Sequence, residues 1–167
     1  MFNIFGFYKF KKLNNLKKLK NRLENNLKDY EVRGTIIISP EGVNGTISDK
    51  KNNLLKFNKL LKKILSIKKF NSENNSNSKF NPFHKLKIKI KKEVVPMGFK
   101  VRNYNFPKNN LNPREWNKII KKKDTVLIDA RKSFEYDVGT FKKSLNPNIE
   151  NFREFPKYLN QFKNSEN

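Results

Sequence analysis

Four lysines at every second position, Lys85, Lys87, Lys89 and Lys91, with Lys92 following, are the residues whose spacing most directly suggests chemistry. On an extended strand rising ~3.3 Å per residue, alternate side chains share a face, so these ammonium groups would stand ~6.6 Å apart. A row of positive charges at that interval suits a nucleic-acid backbone, and Lys binds phosphate well as a point charge. The same row would also serve as a solvated sheet face in a Lys-rich protein, so spacing alone leaves both readings open. Phe80 and Phe83 flank the row and could stack bases, although most Phe of such a chain fill its core. His84, between Phe83 and Lys85, has no partner cluster in the sequence and reads as a surface or packing residue.

Composition closes off other chemistries. The 167 residues contain no Cys and one His, so a disulfide, a thiolate nucleophile, a thiolate metal site and a His-rich zinc site are all excluded within them. A Ser-His-Asp hydrolase would have to rest on His84. Lys and Arg number 38 against 15 Asp and Glu, a formal charge of +23. Only six of the 38 are Arg, and Lys, Asn, Ile and Phe are enriched together, a pattern that AT-rich coding produces without selection for a partner. The distribution is more telling than the total. Residues 1–100 carry 24 basic and seven acidic side chains, net +17, whereas residues 101–167 carry 14 and eight, net +6. The first part is therefore the better candidate for a polyanion surface. The opening MFNIFGFYKF is too short and wrongly flanked for a secretory leader, and no run approaches the ~20 apolar residues of a membrane span. The expectation is a cytoplasmic protein with no membrane partner.

The elements that must position these residues follow from periodicity. Phe2 to Phe10 predicts a strand. Leu13, Leu16, Leu19, Leu23 and Leu27 form one apolar stripe of a helix. Val32–Ser39 and Val43–Ser48 predict two strands, joined by a turn at Ser39-Pro40-Glu41-Gly42 or, in competition, at Asn44-Gly45. A second helix runs from about Asp49 to Leu65. The polar stretch Asn71–Ser78 reads as an exposed loop. From Lys85 to Lys92, Leu86, Ile88 and Ile90 alternate with the lysines, as in a strand with one buried face. This order predicts a ferredoxin-like (split βαβ) α+β domain over residues 1–97, in which two helices cover one face of a four-stranded antiparallel sheet. A linker over 98–111 leads to a second unit, 112–167. Asn112-Pro113-Arg114-Glu115 starts a helix, Thr125–Ile128 predicts a short parallel-sheet strand, a loop carries Asp129-Ala130-Arg131 to Gly139, and a helix covers about Phe152 to Phe162.

Several strings together resemble the bacterial rhodanese-domain tRNA uridine hydroxylases. They are Gly34-Thr35-Ile36-Ile37-Ile38-Ser39-Pro40-Glu41-Gly42-Val43-Asn44-Gly45-Thr46-Ile47, then the Pro82 to Val95 segment with its lysine row, then Asn112-Pro113-Arg114-Glu115-Trp116-Asn117, Asp129-Ala130-Arg131, Phe134-Glu135-Tyr136, Gly139-Thr140-Phe141 and Phe152-Arg153-Glu154-Phe155-Pro156. Their shared order makes the resemblance specific from about Phe7 to Tyr158. It implies an acylphosphatase-like first domain, an incomplete α/β rhodanese domain, and oxygen-dependent 5-hydroxylation of the wobble uridine, with molecular oxygen as co-substrate and no identifiable cofactor. The partner implied is tRNA, held at its anticodon arm by Lys85, Lys87, Lys89, Lys91 and Lys92. Asp129, Arg131, Glu135 and Gly139 match the rhodanese Asp-x-Arg…Glu…Gly motif, with Arg131 expected to brace the loop. Thr140 stands where most rhodaneses carry His. The reactive Cys of the family lies beyond Asn167, so no catalytic residue is assigned here, and a separate rhodanese fragment is a conceivable partner. Two alternatives accompany this reading: an RNA-binding remnant without catalysis, and a rhodanese-type sulfurtransferase fragment.

Overall fold

The computed structural model describes residues 1–96, 98 and 111–163, which fall into two compact units. The first holds Met1–Val95 and the second the described residues from Pro96 onward. Most of the 98–111 linker lies outside the described residues.

The first unit runs β1 (Phe2–Phe10), α1 (Leu16–Leu27), β2 (Arg33–Ser39), β3 (Gly42–Asp49), α2 (Lys51–Ile64), β4 (Ser72–Ser78) and β5 (Leu86–Ile90). The sheet order is β4-β1-β3-β2-β5. Alternation decides which side is buried. Phe5 and Phe7 of β1, Ile36 and Ile38 of β2, Val43 and Ile47 of β3 and Ile88 of β5 pack against Leu23 and Leu27 of α1 and Leu54, Phe57, Leu61 and Ile64 of α2. The opposite side chains of every strand therefore lie on a second face that the helices leave uncovered.

The β2–β3 connection is the Pro40-Glu41 turn, with Ser39 paired to Gly42, and Asn44-Gly45 lies inside β3. Gly42 is needed there: at φ 152° a Cβ would fall 2.0 Å from the Lys9 carbonyl oxygen.

Two expectations for this unit are corrected. The stretch Asn71–Ser78 is no loop: Ser72–Ser78 forms β4, antiparallel to β1 from Phe2↔Ser78 to Tyr8↔Ser72. Its composition hides it because an edge strand with both faces open to water needs no apolar residue. Its pairing comes from β1, reinforced by the Asn3 amide donating to Asn77 Oδ1 (2.6 Å) and by Asn71 Oδ1 accepting the Phe10 N–H (2.9 Å). The lysine strand is consequently the fifth strand, not the fourth, and it runs parallel to β2, so the sheet is mixed. The seven residues 79–85 pass from one edge of the sheet to the other. At ~3.3 Å per residue they cover the four strand spacings, ~19 Å in all.

In the second unit α3 (Pro113–Ile119) begins with a full capping box. Asn112 Oδ1 accepts the Arg114 and Glu115 N–H groups (both 3.0 Å), and Glu115 accepts the Asn112 N–H (2.8 Å). α4 (Ser133–Val138) replaces the expected loop; six residues are too few to show a helical period, and Glu135 caps its start. The Thr125–Ile128 run is not a regular strand. It makes one parallel bridge, Ile128↔Leu145, and Val126 remains 58% exposed. A 3-10 turn at Phe152–Glu154 leads into α5 (Phe155–Lys163). No helix among the described residues is long and apolar enough to cross a membrane.

Candidate nucleic-acid interface

β5 pairs with β2 from Gly34↔Leu86 to Ile38↔Ile90. The ladder extends one residue at each end, through Gly34 N–H to Lys85 O (3.1 Å) and Lys91 N–H to Ile38 O (3.0 Å). Ile88 is buried against the helices. Lys85, Lys87, Lys89 and Lys91 consequently share the face that the helices leave open, and all four are exposed. Lys92 is exposed too, but it follows on the other parity and does not extend the row. Among the described residues none of the five pairs with a carboxylate. Four unpaired ammonium groups at one sheet edge are chemically suited to a polyanion.

The pairing registers show what lies beside the row. Crossing the open face from β5 to β4, one line reads Lys89, Ile37, Asn44, Tyr8, Ser72, and the next reads Lys87, Thr35, Thr46, Gly6, Asn74. A third holds Arg33, Ser48, Ile4 and Ser76. None of these side chains is acidic. Tyr8 is 38% exposed, and its ring meets Phe10 edge-on at 5.8 Å between centroids. This face is not open throughout: Ser48 in the third line is fully buried, and near the β2–β3 turn the face is covered as well. Val94 is buried there, its N–H donating to Glu41 Oε1 (2.8 Å) and its carbonyl accepting from the Asn44 amide (3.4 Å).

Sequence reasoning missed Arg33 and Tyr8. The only available signal was their parity relative to the buried Ile36 and Phe7, and β1 carries aromatic residues on both faces. Phe80 stands 70% exposed in the 79–85 connection. Phe83 is half-buried, and with Thr35, Pro82, His84, Lys85 and Lys87 it lines a hollow of about 140 Å³.

The second unit brings Asp129, Arg131 and Gly139 together. Arg131 Nε and Nη2 grip both Asp129 oxygens (2.6–3.1 Å), and Nη2 also donates to the Gly139 carbonyl (2.6 Å). The Thr140 hydroxyl donates to Asp129 Oδ2 (2.8 Å) and lies 2.6 Å from Ser144 Oγ. Hydrogen bonding from Arg131 holds the Asp129 carboxyl well below the usual carboxylate range, and Asp129 in turn raises the guanidinium. Glu135 acts elsewhere, accepting the Lys132 N–H at the start of α4 (3.3 Å). These groups border a cleft of about 580 Å³ that also takes in Trp116, Leu127 and Phe141. The arrangement is a brace for the loop after Ile128. Arg131 is committed to internal partners, and Asp129 is ionised and engaged, so neither stands as a free acid or base.

Residues 2–94 match the model of the UPF0176 acylphosphatase like domain. The chain is 60% identical over 163 residues to the tRNA uridine(34) hydroxylase of Pelagibacter ubique, covering 98% of this chain and 54% of that protein. It is 39% identical over 158 residues to the enzyme of that name from Prochlorococcus marinus (94% and 50%) and 36% identical over 157 residues to that of Legionella pneumophila (93% and 61%). The chain thus spans about half the length of the curated relatives it matches. Among solved structures, acylphosphatase from Bacillus subtilis superposes at a TM-score of 0.38 with 12% identity, over 53% of this chain and 98% of that one.

Proposed function

The chain belongs to the family that carries the UPF0176 acylphosphatase-like domain, and from that premise we propose that it serves as the N-terminal part of a tRNA uridine(34) hydroxylase, in the cytoplasm. The observation carrying this reading is the 60% identity to the Pelagibacter ubique hydroxylase along 98% of the chain. Residues 1–97 are the tRNA-holding domain, 98–111 the linker, and 112–167 the first part of a rhodanese domain. Lys85, Lys87, Lys89 and Lys91 take phosphates of the anticodon arm as separate point charges, with Lys92 close by. Asp129, Arg131, Gly139 and Thr140 brace the loop that follows Ile128. Molecular oxygen is the co-substrate.

The hydroxylation reaction draws on a cysteine thiolate in the resembled family, and these 167 residues contain no Cys. The chain's own share of the activity is therefore binding and positioning, and the thiolate comes from residues outside it. A second reading is RNA binding without modification. Mass spectrometry of tRNA from cells lacking the gene separates the two. The hydroxylase reading expects 5-hydroxyuridine derivatives to fall, and unchanged levels would overturn it.

A further inference from the structure

We infer that the open face of the sheet is a stacking platform for unpaired RNA, with Tyr8 as the residue on which a base lies. This rests on the RNA-binding reading above and adds to it a site across the sheet from the lysine row. Three features point the same way. The charged side chains in the described rows, Arg33, Lys87 and Lys89, are all positive and lie on β2 and β5, so the face is electrostatically complementary to a phosphate backbone at that side. In the line through Tyr8 the floor toward Lys89 is Ile37 and Asn44, the latter held by the Val94 carbonyl, and in the neighbouring line it consists of the small residues Thr35, Thr46 and Gly6. Tyr8 stands two residues from Gly6 on β1, 38% exposed, with its ring edge-on to Phe10 at 5.8 Å.

The dimensions are compatible. β5 and β1 are three strand spacings apart, ~14 Å. A strand whose phosphates lie on the lysines can cross the floor and place an unstacked base against the tyrosine ring. Aromatic side chains beside a basic groove hold single strands through base stacking, which is tolerant of sequence. Gly6 leaves the floor low although a Cβ there would meet nothing closer than 3.8 Å, so crowding does not demand a glycine at this position.

The test uses the full chain and a fluorescently labelled twelve-nucleotide oligouridine, with affinity read by anisotropy over a range of salt. Tyr8→Ser should weaken binding roughly fivefold to a hundredfold with the salt dependence unchanged, because no cation is removed. Tyr8→Phe should stay within about twofold of the parent. Thr46→Glu, at an exposed position that cannot disturb the core, should weaken binding by placing a carboxylate beside the platform. If Lys87→Gln/Lys89→Gln weakens binding while a folded Tyr8→Ser and Thr46→Glu bind like the parent, the stacking site is overturned and the lysine reading stands. If the parent does not bind the oligonucleotide even at low salt, the RNA-binding reading falls and the platform with it.

Discussion

The two units solve the problem of holding a Lys-rich chain together in opposite ways. In the first, sixteen hydrophobic residues form one buried cluster between a five-stranded sheet and two helices, and Glu41 and Asp49 are the buried charged residues among those described. In the second, Ile149 is the one buried hydrophobic residue among those described, and Val126, Phe134, Val138, Phe141 and Leu145 are 42–88% exposed. Polar bonds take over there. Arg131 ties Asp129 to Gly139, Thr140 joins them, and the Tyr136 hydroxyl donates to the Ser144 carbonyl (2.8 Å). Apolar burial is the larger stabilising force per residue, while exposed ion pairs contribute little. The first unit should therefore behave as a cooperative core and the second as a set of locally braced segments.

The largest effect expected is at Phe57. It is fully buried on α2 and meets Tyr30 edge-on at 5.7 Å. Phe57→Ala should cost about 3–5 kcal/mol and speed amide exchange across β1 and β3, leaving α3 and α4 unchanged. An equal response in both units would break the contrast between them.

A smaller effect is expected at the Asp129 brace. Its carboxyl titrates below the ordinary value, so the stabilisation it provides is complete above ~pH 4 and is lost as pH falls through its lowered range. Amide exchange at Gly139 and Thr140, corrected for its intrinsic pH dependence, should rise on acidification. Asp129→Asn should produce the loosened state already at neutral pH and remove the pH dependence. A loop equally protected in that variant would show that the brace contributes nothing.

The same contrast explains what could be read from the sequence. β1, β2, β3, α1, α2 and β5 were legible because each buries one side, which leaves a period of two or of three to four residues in the apolar pattern. β4 left none, since Ser72–Ser78 borrows its pairing from β1 and buries no side chain. Thr125–Ile128 was misread for the converse reason: a continuous apolar run suggests a strand flanked on both sides, and here it makes a single bridge to Leu145. At the candidate interface the lysine row was visible as strict alternation. Tyr8 and Arg33 were not, because membership of a face shared by several strands depends on register, which only the fold defines.

The central claim is that the lysine row of β5 holds tRNA. It is tested most directly by titrating the full chain with tRNA at several salt concentrations and repeating this with Lys85, Lys87, Lys89 and Lys91 all changed to Gln. Each phosphate contact contributes ~0.7–0.9 to the slope of log affinity against log salt. The account predicts that the fourfold variant binds far more weakly at low salt, with the slope reduced by about 3. Unchanged affinity and slope would contradict it.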